Sequence, residues 1–266
     1  MAEVSASLNP LIRIGYLSRA VLYVLLGIIA LTGAKSVADG TDGIFRTIET
    51  APLGKALLGI LAVGLIAYAL FRLASLFFDI ENNGSDAKGW AKRIGHGASA
   101  LGHFALAWTA WKFISAGESG GDGTSEATAG VLSAEFGGVV IGLFGIAFFA
   151  AAASQAIKGF IGSFMERIAP DAPGATRAIG GAGYIARAVV FAVIGWSLIE
   201  AGFLSRGAQN VKTLGEAVAS LAGTGWLFTL IAIGLLLFGL FSAVLARWRI
   251  IPEMSAHGHV PEFRRG

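Results

Sequence analysis

Gly15-Tyr16-Leu17-Ser18-Arg19-Ala20-Val21-Leu22-Tyr23-Val24-Leu25-Leu26-Gly27 opens the first long apolar run of this chain. The pattern returns as Gly95-His96-x-x-Ser99-Ala100-x-x-His103. It returns again as Gly183-Tyr184-x-x-Arg187-Ala188-x-x-Phe191-x-x-x-Gly195. The starts lie 80 and 88 residues apart, and a second apolar run follows each copy. Three tandem helical hairpins are the simplest solution, and they predict an all-α membrane protein.

Composition agrees. The 266 residues are 55% hydrophobic and 14% charged, against about a quarter charged in ordinary soluble domains. Mean hydropathy is +0.70. A bilayer span needs roughly 20 mostly apolar residues. Six segments qualify: about 14–33, 55–78, 95–115, 137–157, 183–203 and 225–246. The predicted units are an N-terminal tail (1–10), repeat one (11–80), repeat two (91–165), repeat three (177–249) and a C-terminal tail (250–266). Two spans per unit give parallel repeats, hence a pseudo-threefold arrangement about the membrane normal.

Met1 to Ile12 lack the ordered regions of a cleaved signal, so the first run is expected to be a retained helix. With no cysteine, disulfides and thiolate metal sites are excluded. The sequence pI near 9.3 fits topology better than nucleic-acid binding. Of the 20 Lys and Arg, six fall on one side: Lys35, Arg46, Lys55, Lys112, Arg206 and Lys212. The other 14 fall on the side where the motifs start. The positive-inside rule then places both termini in the cytoplasm, in a cell (inner) membrane. Trp90, Trp108, Trp111, Trp226 and Trp248 lie near expected span ends, while Trp196 lies deeper.

Between the spans of each repeat lies a short stretch: Thr41 to Pro52, Thr124 to Phe136, and Gln209 to Ala222. Hydrophobic spacing predicts short helices at the outer interface. Gly117 to Gly130 is expected to be a flexible loop. With 38 glycines, close helix packing is expected. Gly138-x-x-x-Gly142, Ala98-x-x-x-Gly102 and the pair Gly59 and Gly64 fit that use.

Positions i, i+3 and i+7 share a helical face. The candidate binding residues are therefore Tyr16, Arg19 and Tyr23; His96, Ser99 and His103; and Tyr184 and Arg187. The even-numbered spans add Arg72, Gln155 and Lys158. Arg72 and Gln155 hold similar positions in their repeats, where repeat three offers Ser242. Arg19 and Arg187 stand one turn inside the cytoplasmic end. They either snorkel outward to headgroups or, facing inward, build a basic vestibule that attracts anions or anionic lipid headgroups. Both directions stay open in the sequence.

His96 and His103 stand roughly 10.5 Å apart along one helix, so one metal cannot take both. No other span carries a histidine, and neither metal nor haem is expected. Asp and Glu fall in loops, tails and span ends, with none at an expected midplane. That weakens a coupled-transporter reading. No catalytic motif is present, so no enzyme and no cofactor are expected.

The repeat resembles the bacterial membrane proteins grouped as domain of unknown function 1206. Those carry three two-helix units, each opened by an aromatic residue, an Arg and small residues. The Pro-x-Gly turn of that family appears as Ala51-Pro52-Leu53-Gly54-Lys55, followed by Gly59, Gly64 and Tyr68. The resemblance spans about residues 11 to 249 and departs at repeat two, where His96, Ser99 and His103 replace Tyr, Arg and aromatic. It implies a six-span inner-membrane protein and supplies no activity.

The expected function is thus a membrane protein binding anionic headgroups or small anions near the cytoplasmic leaflet. A passive channel along the pseudo-threefold axis, and a scaffold or accessory subunit, are the alternatives. Membrane lipids are the expected partners, and nucleic acid is not.

Overall fold

The computed structural model describes residues 2–32, 40–50, 52–81, 83–116 and 123–251. The expected C-terminal tail beyond Ile251 and most of the Gly-rich loop lie outside them. Nine α-helices are present among the described residues. The long ones are α1 (Ala2–Thr32), α3 (Gly54–Phe77), α4 (Ala87–Ala116), α6 (Gly137–Ile161), α7 (Thr176–Gly202) and α9 (Trp226–Trp248). The short ones are α2 (Gly40–Glu49), α5 (Gly123–Leu132) and α8 (Leu214–Ala219).

Two boundaries differ from expectation. Helix α1 runs back through the expected tail with Pro10 inside it. The later part of the Gly-, Ser- and Thr-rich loop is helical, as α5.

Among the described residues, five helices are long and apolar enough to cross a membrane: α1 from Ile12, α3, α6, α7 and α9. Helix α4 falls outside that set, although six spans were expected. Its 30 residues include His96, Ser99, His103, Thr109 and Lys112, which dilute its apolar content.

The long helices pack in the order α4, α3, α1, α9, α7, α6. Matched close approaches show that neighbours are antiparallel. On α4 against α3, Gly97 meets Leu76 while Gly59 meets Ile114. On α6 against α7, Gly138 faces Gly202, Gly145 faces Gly195, and Gly159 faces Gly181. A Cβ on Gly145 would stand 2.7 Å from the Gly195 carbonyl oxygen, so these backbones touch directly. Helices α1 and α9 meet the same way at Gly27 with Leu236 and Gly239 with Val24. The closest partnerships therefore cross repeat boundaries, which ties the three hairpins into one bundle.

One expected packing stripe has no partner. Around Gly95 and Gly102 of α4 nothing lies within 4 Å. Ala98, between them, is exposed. The two long helices of repeat two, α4 and α6, do not pack along each other, whereas α1 packs on α3 and α7 on α9.

The first long helix of each repeat starts by capping its neighbour. Arg13 donates to the carbonyls of Ala246 (2.8 Å) and Arg247 (2.6 Å) at the end of α9. Arg93 donates to Leu76 (2.8 Å) and Phe77 (3.0 Å) at the end of α3. Arg177 donates to Ile161 (3.0 Å) at the end of α6. Terminal carbonyls have no intrahelical partner, and a cation there opposes the helix dipole favourably. Replacing Arg13 or Arg93 by Ala is expected to cost about 1 kcal/mol each in detergent unfolding. Replacing Arg247, in the last turn of α9 itself, is expected to cost less.

The short stretches are helical as expected, and two of them, α2 and α8, pack against each other. Helix α2 packs against α1, α3, α4 and α8, so it touches all three repeats at the end far from the motifs. Phe45 is fully buried there, edge-on to Phe113 at 5.9 Å, and Ile48 and Val218 are buried in the same core. Helix α8 is fixed by a capping box in which Glu216 N–H donates to Thr213 Oγ1 and Thr213 N–H donates to Glu216 Oε2 (2.6 Å).

Candidate functional site

At the opposite end, where the motifs start, the three motif faces converge. Arg19 is 6% exposed and does not snorkel. Its Nε donates to Ser242 Oγ (3.1 Å) and its Nη1 to the Tyr68 hydroxyl (2.7 Å). Ser242 spends its own proton on the Phe238 carbonyl (2.8 Å), which frees its oxygen to accept. The Arg19 guanidinium also lies 4.8 Å from the Tyr16 ring centroid and 5.0 Å from that of Phe238. Such cation–π contacts are worth about 0.5–2 kcal/mol each when desolvated.

Arg187 lies over the same Phe238 ring, at 4.4 Å, and over Tyr23 (5.4 Å) and Phe191 (4.7 Å). Tyr23 and Tyr184 both meet Phe238 edge-on, at 4.9 and 5.6 Å. Phe238 therefore joins the faces of repeats one and three. Tyr68 does the same for repeats one and two, with His103 at 4.5 Å between ring centroids. His103 Nδ1 is 2.7 Å from the Ser99 carbonyl.

Arg72 extends the cluster. Its Nε (2.9 Å) and Nη2 (2.6 Å) donate to the Tyr68 hydroxyl, which Arg19 also reaches. Three N–H groups from two arginines thus aim at one phenol oxygen, which has two lone pairs. Arg72 Nη1 reaches Glu81 Oε1 (3.1 Å) and His96 Nδ1 (3.0 Å). His96 Nε2 lies 3.4 Å from Glu81 Oε2 and 3.3 Å from Asn83 Nδ2, so the ring bridges Arg72 to the loop that carries Glu81.

Sequence reasoning missed Glu81. It follows α3 in a short connection and is 6% exposed. Beside Arg72 and His96 it binds Arg167, and Arg249 at 2.6 Å. Helix α6 ends on Gly162 in the left-handed region (φ 78°), and a 3-10 turn, Ser163–Arg167, then swings Arg167 inward. An isolated bridge between Ile168 and Arg249 aligns the two arginines, with Ala169 N–H donating to Trp248 O and Ile250 N–H donating to Arg167 O. One carboxylate thus clasps groups from all three repeats. Burial raises the Glu81 pKa, but Arg249, Arg72, His96 and Arg167 together outweigh it and hold the carboxyl well below its ordinary value.

The remaining candidates divide. Lys158 is exposed on α6. The amide oxygen of Gln155, the Tyr16 hydroxyl and Arg187 Nε are buried with no hydrogen-bond partner among the described residues. Arg72 and Ser242 both join the Tyr68–Arg19 network, whereas Gln155, their counterpart in repeat two, does not. No group of three or more metal-ligating side chains occurs among the described residues.

The balance of charge defines what this cluster lacks. Three guanidiniums, those of Arg72, Arg167 and Arg249, gather around a single carboxylate, while Arg19 and Arg187 lie over the Phe238 ring with no acid partner among the described residues. Buried cations without counter-charge are costly, and surplus donors call for an acceptor.

A helical chain of three tandem hairpins with spans of this kind is a polytopic membrane protein. It belongs to the family described as Domain of Unknown Function (DUF1206), whose model matches residues 14–75, 94–162 and 182–249. It is also similar to the uncharacterized protein YxxB of Bacillus subtilis (strain 168), with 31% identity over 258 residues covering 91% of this chain and 93% of that one. No solved structure matches.

Proposed function

We propose that this is a six-span cytoplasmic-membrane protein, with both termini in the cytoplasm, whose motif-end chamber binds a phosphate-class anion. Free phosphate and an anionic lipid headgroup share that chemistry. The observation carrying the reading is the pair Arg19 and Arg187, buried or half-buried over one Phe238 ring without an acid partner among the described residues. Arginine forks match phosphate oxygens, and charge-assisted bonds of this kind are about twice as strong as neutral ones. The unpartnered Arg187 Nε and Tyr16 hydroxyl supply two further donors. The antiparallel course of α4 along α3 supports counting it as the sixth span, its polar residues turned to the chamber and the protein. The Lys and Arg excess at the motif end supports the cytoplasmic orientation.

Titration calorimetry with inorganic phosphate tests the reading. Arg19→Gln with Arg187→Gln is expected to weaken binding at least tenfold. Arg206→Gln, at the far end, is expected to leave it unchanged. Equal binding by all three proteins would sink it.

A further inference from the structure

We infer that an anionic phospholipid reaches this chamber sideways, through an opening between α4 and α6 in repeat two. The inference rests on the anion-site reading above and adds the ligand's source and route.

In repeats one and three the motif glycine brings the backbones of the two long helices into direct contact. Gly15 of α1 packs on Tyr68 of α3, with a built Cβ only 2.8 Å from the Tyr68 Cβ. Gly183 of α7 packs on Phe238 of α9, at 2.7 Å. Tyr68 and Phe238 each stand four residues before the matched positions Arg72 and Ser242. The same offset from Gln155 in repeat two gives Ala151. No matching approach occurs there, and a Cβ built on Gly95 meets nothing within 4 Å.

The opening has the character of a lipid route. Its α4 wall is the unpartnered stripe of Gly95, Ala98 and Gly102, smooth enough for an acyl chain. Its α6 wall is the least covered of the five apolar spans, with 28% of its most apolar stretch buried against 44–61% in the others. Polar groups follow inward from that wall. Lys158 is exposed on α6, and one turn earlier the Gln155 amide oxygen is buried without a partner. Beyond them stand His103 and the surplus guanidiniums. The Tyr16 hydroxyl, on a residue 1% exposed, adds an unpartnered donor beside Arg249 and Tyr68. Apolar walls leading to buried, uncompensated positive charge match a ligand with acyl tails and an anionic head. A free anion needs no opening toward the acyl region.

The test is photolabelling of the full chain in nanodiscs with phosphatidylglycerol or phosphatidylcholine carrying a diazirine in the acyl chain. Mass spectrometry then maps the labelled residues. With phosphatidylglycerol, labels are expected to concentrate on residues 95–109 and 147–158, at least fivefold above the other spans. Phosphatidylcholine is expected to label all lipid-facing surfaces alike. Gly95→Leu with Gly102→Leu fills open space and is expected to remove that concentration while leaving phosphate binding unchanged. Uniform labelling by both lipids would overturn the lateral route. If phosphate binding still depends on Arg19 and Arg187 in that case, the anion site survives and only its lipid source fails. If neither ligand responds to those two arginines, both readings fail.

Discussion

Glu81→Gln is expected to destabilise the folded protein by about 3 kcal/mol or more, the largest loss for any single polar substitution in the chain. The physical reason is asymmetry. Three arginines and one histidine from three repeats converge on this carboxylate, and removing its charge leaves the guanidiniums buried without compensation. The control is Glu200→Gln, which breaks an exposed pair with Arg206 and is expected to cost no more than about 1 kcal/mol. Denaturant unfolding in detergent separates the two, and equal midpoints would remove Glu81 from its place as a clasp. A pH dependence follows. The folded-state pKa of Glu81 lies below the unfolded carboxylate value of about 4.3. Its contribution is therefore complete above that value and is lost as pH falls below it toward the folded pKa. Wild-type protein is expected to lose stability on acidification, and Glu81→Gln is expected to show a flatter profile in the same range.

The second large effect concerns glycine. Gly145→Leu is expected to cost about 3 kcal/mol or to prevent folding, because its Cβ would meet the Gly195 carbonyl and the Ile199 backbone nitrogen, neither of which can yield. Gly102→Leu, on the neighbouring long helix of the same repeat, is expected to be tolerated, because nothing lies within 4 Å. Both substitutions look alike in sequence, each replacing a glycine in a hydrophobic helix. Yield of folded monomer after detergent extraction distinguishes them, and similar losses for both would contradict the separation of α4 from α6.

Much of the bundle was legible in the sequence because three copies of a motif at helical spacing leave few alternatives. Tyr16, Arg19 and Tyr23 share a face for the simple reason that helical geometry puts i, i+3 and i+7 together. Their direction was not legible. An arginine one turn inside a span end reaches headgroups or the bundle interior with equal ease, and only Tyr68 and Ser242, more than 45 residues away in sequence, turn Arg19 inward. Glu81 was hidden for the same reason on a larger scale, since Arg167 and Arg249 lie 86 and 168 residues further on. It reads locally as an ordinary loop acid. Two signals were present and overlooked. Arg-Ile-Gly precedes the motif at both Arg13 and Arg93, the two residues that cap neighbouring helices in the same way. Ala151, where repeats one and three carry Tyr68 and Phe238, already set repeat two apart from the others. The outer stretches were recognised as short helices, but hydrophobic spacing alone does not tell a face turned to lipid from one turned to Phe113.

The most direct measurement is an electron cryomicroscopy map of the protein in nanodiscs containing phosphatidylglycerol. Density for a headgroup within hydrogen-bond reach of Arg187 Nε and the Tyr16 hydroxyl, with Arg19 still turned to Tyr68, is the expected result. Guanidiniums of Arg19 and Arg187 turned outward to bulk headgroups, around a chamber filled by protein side chains alone, would contradict it.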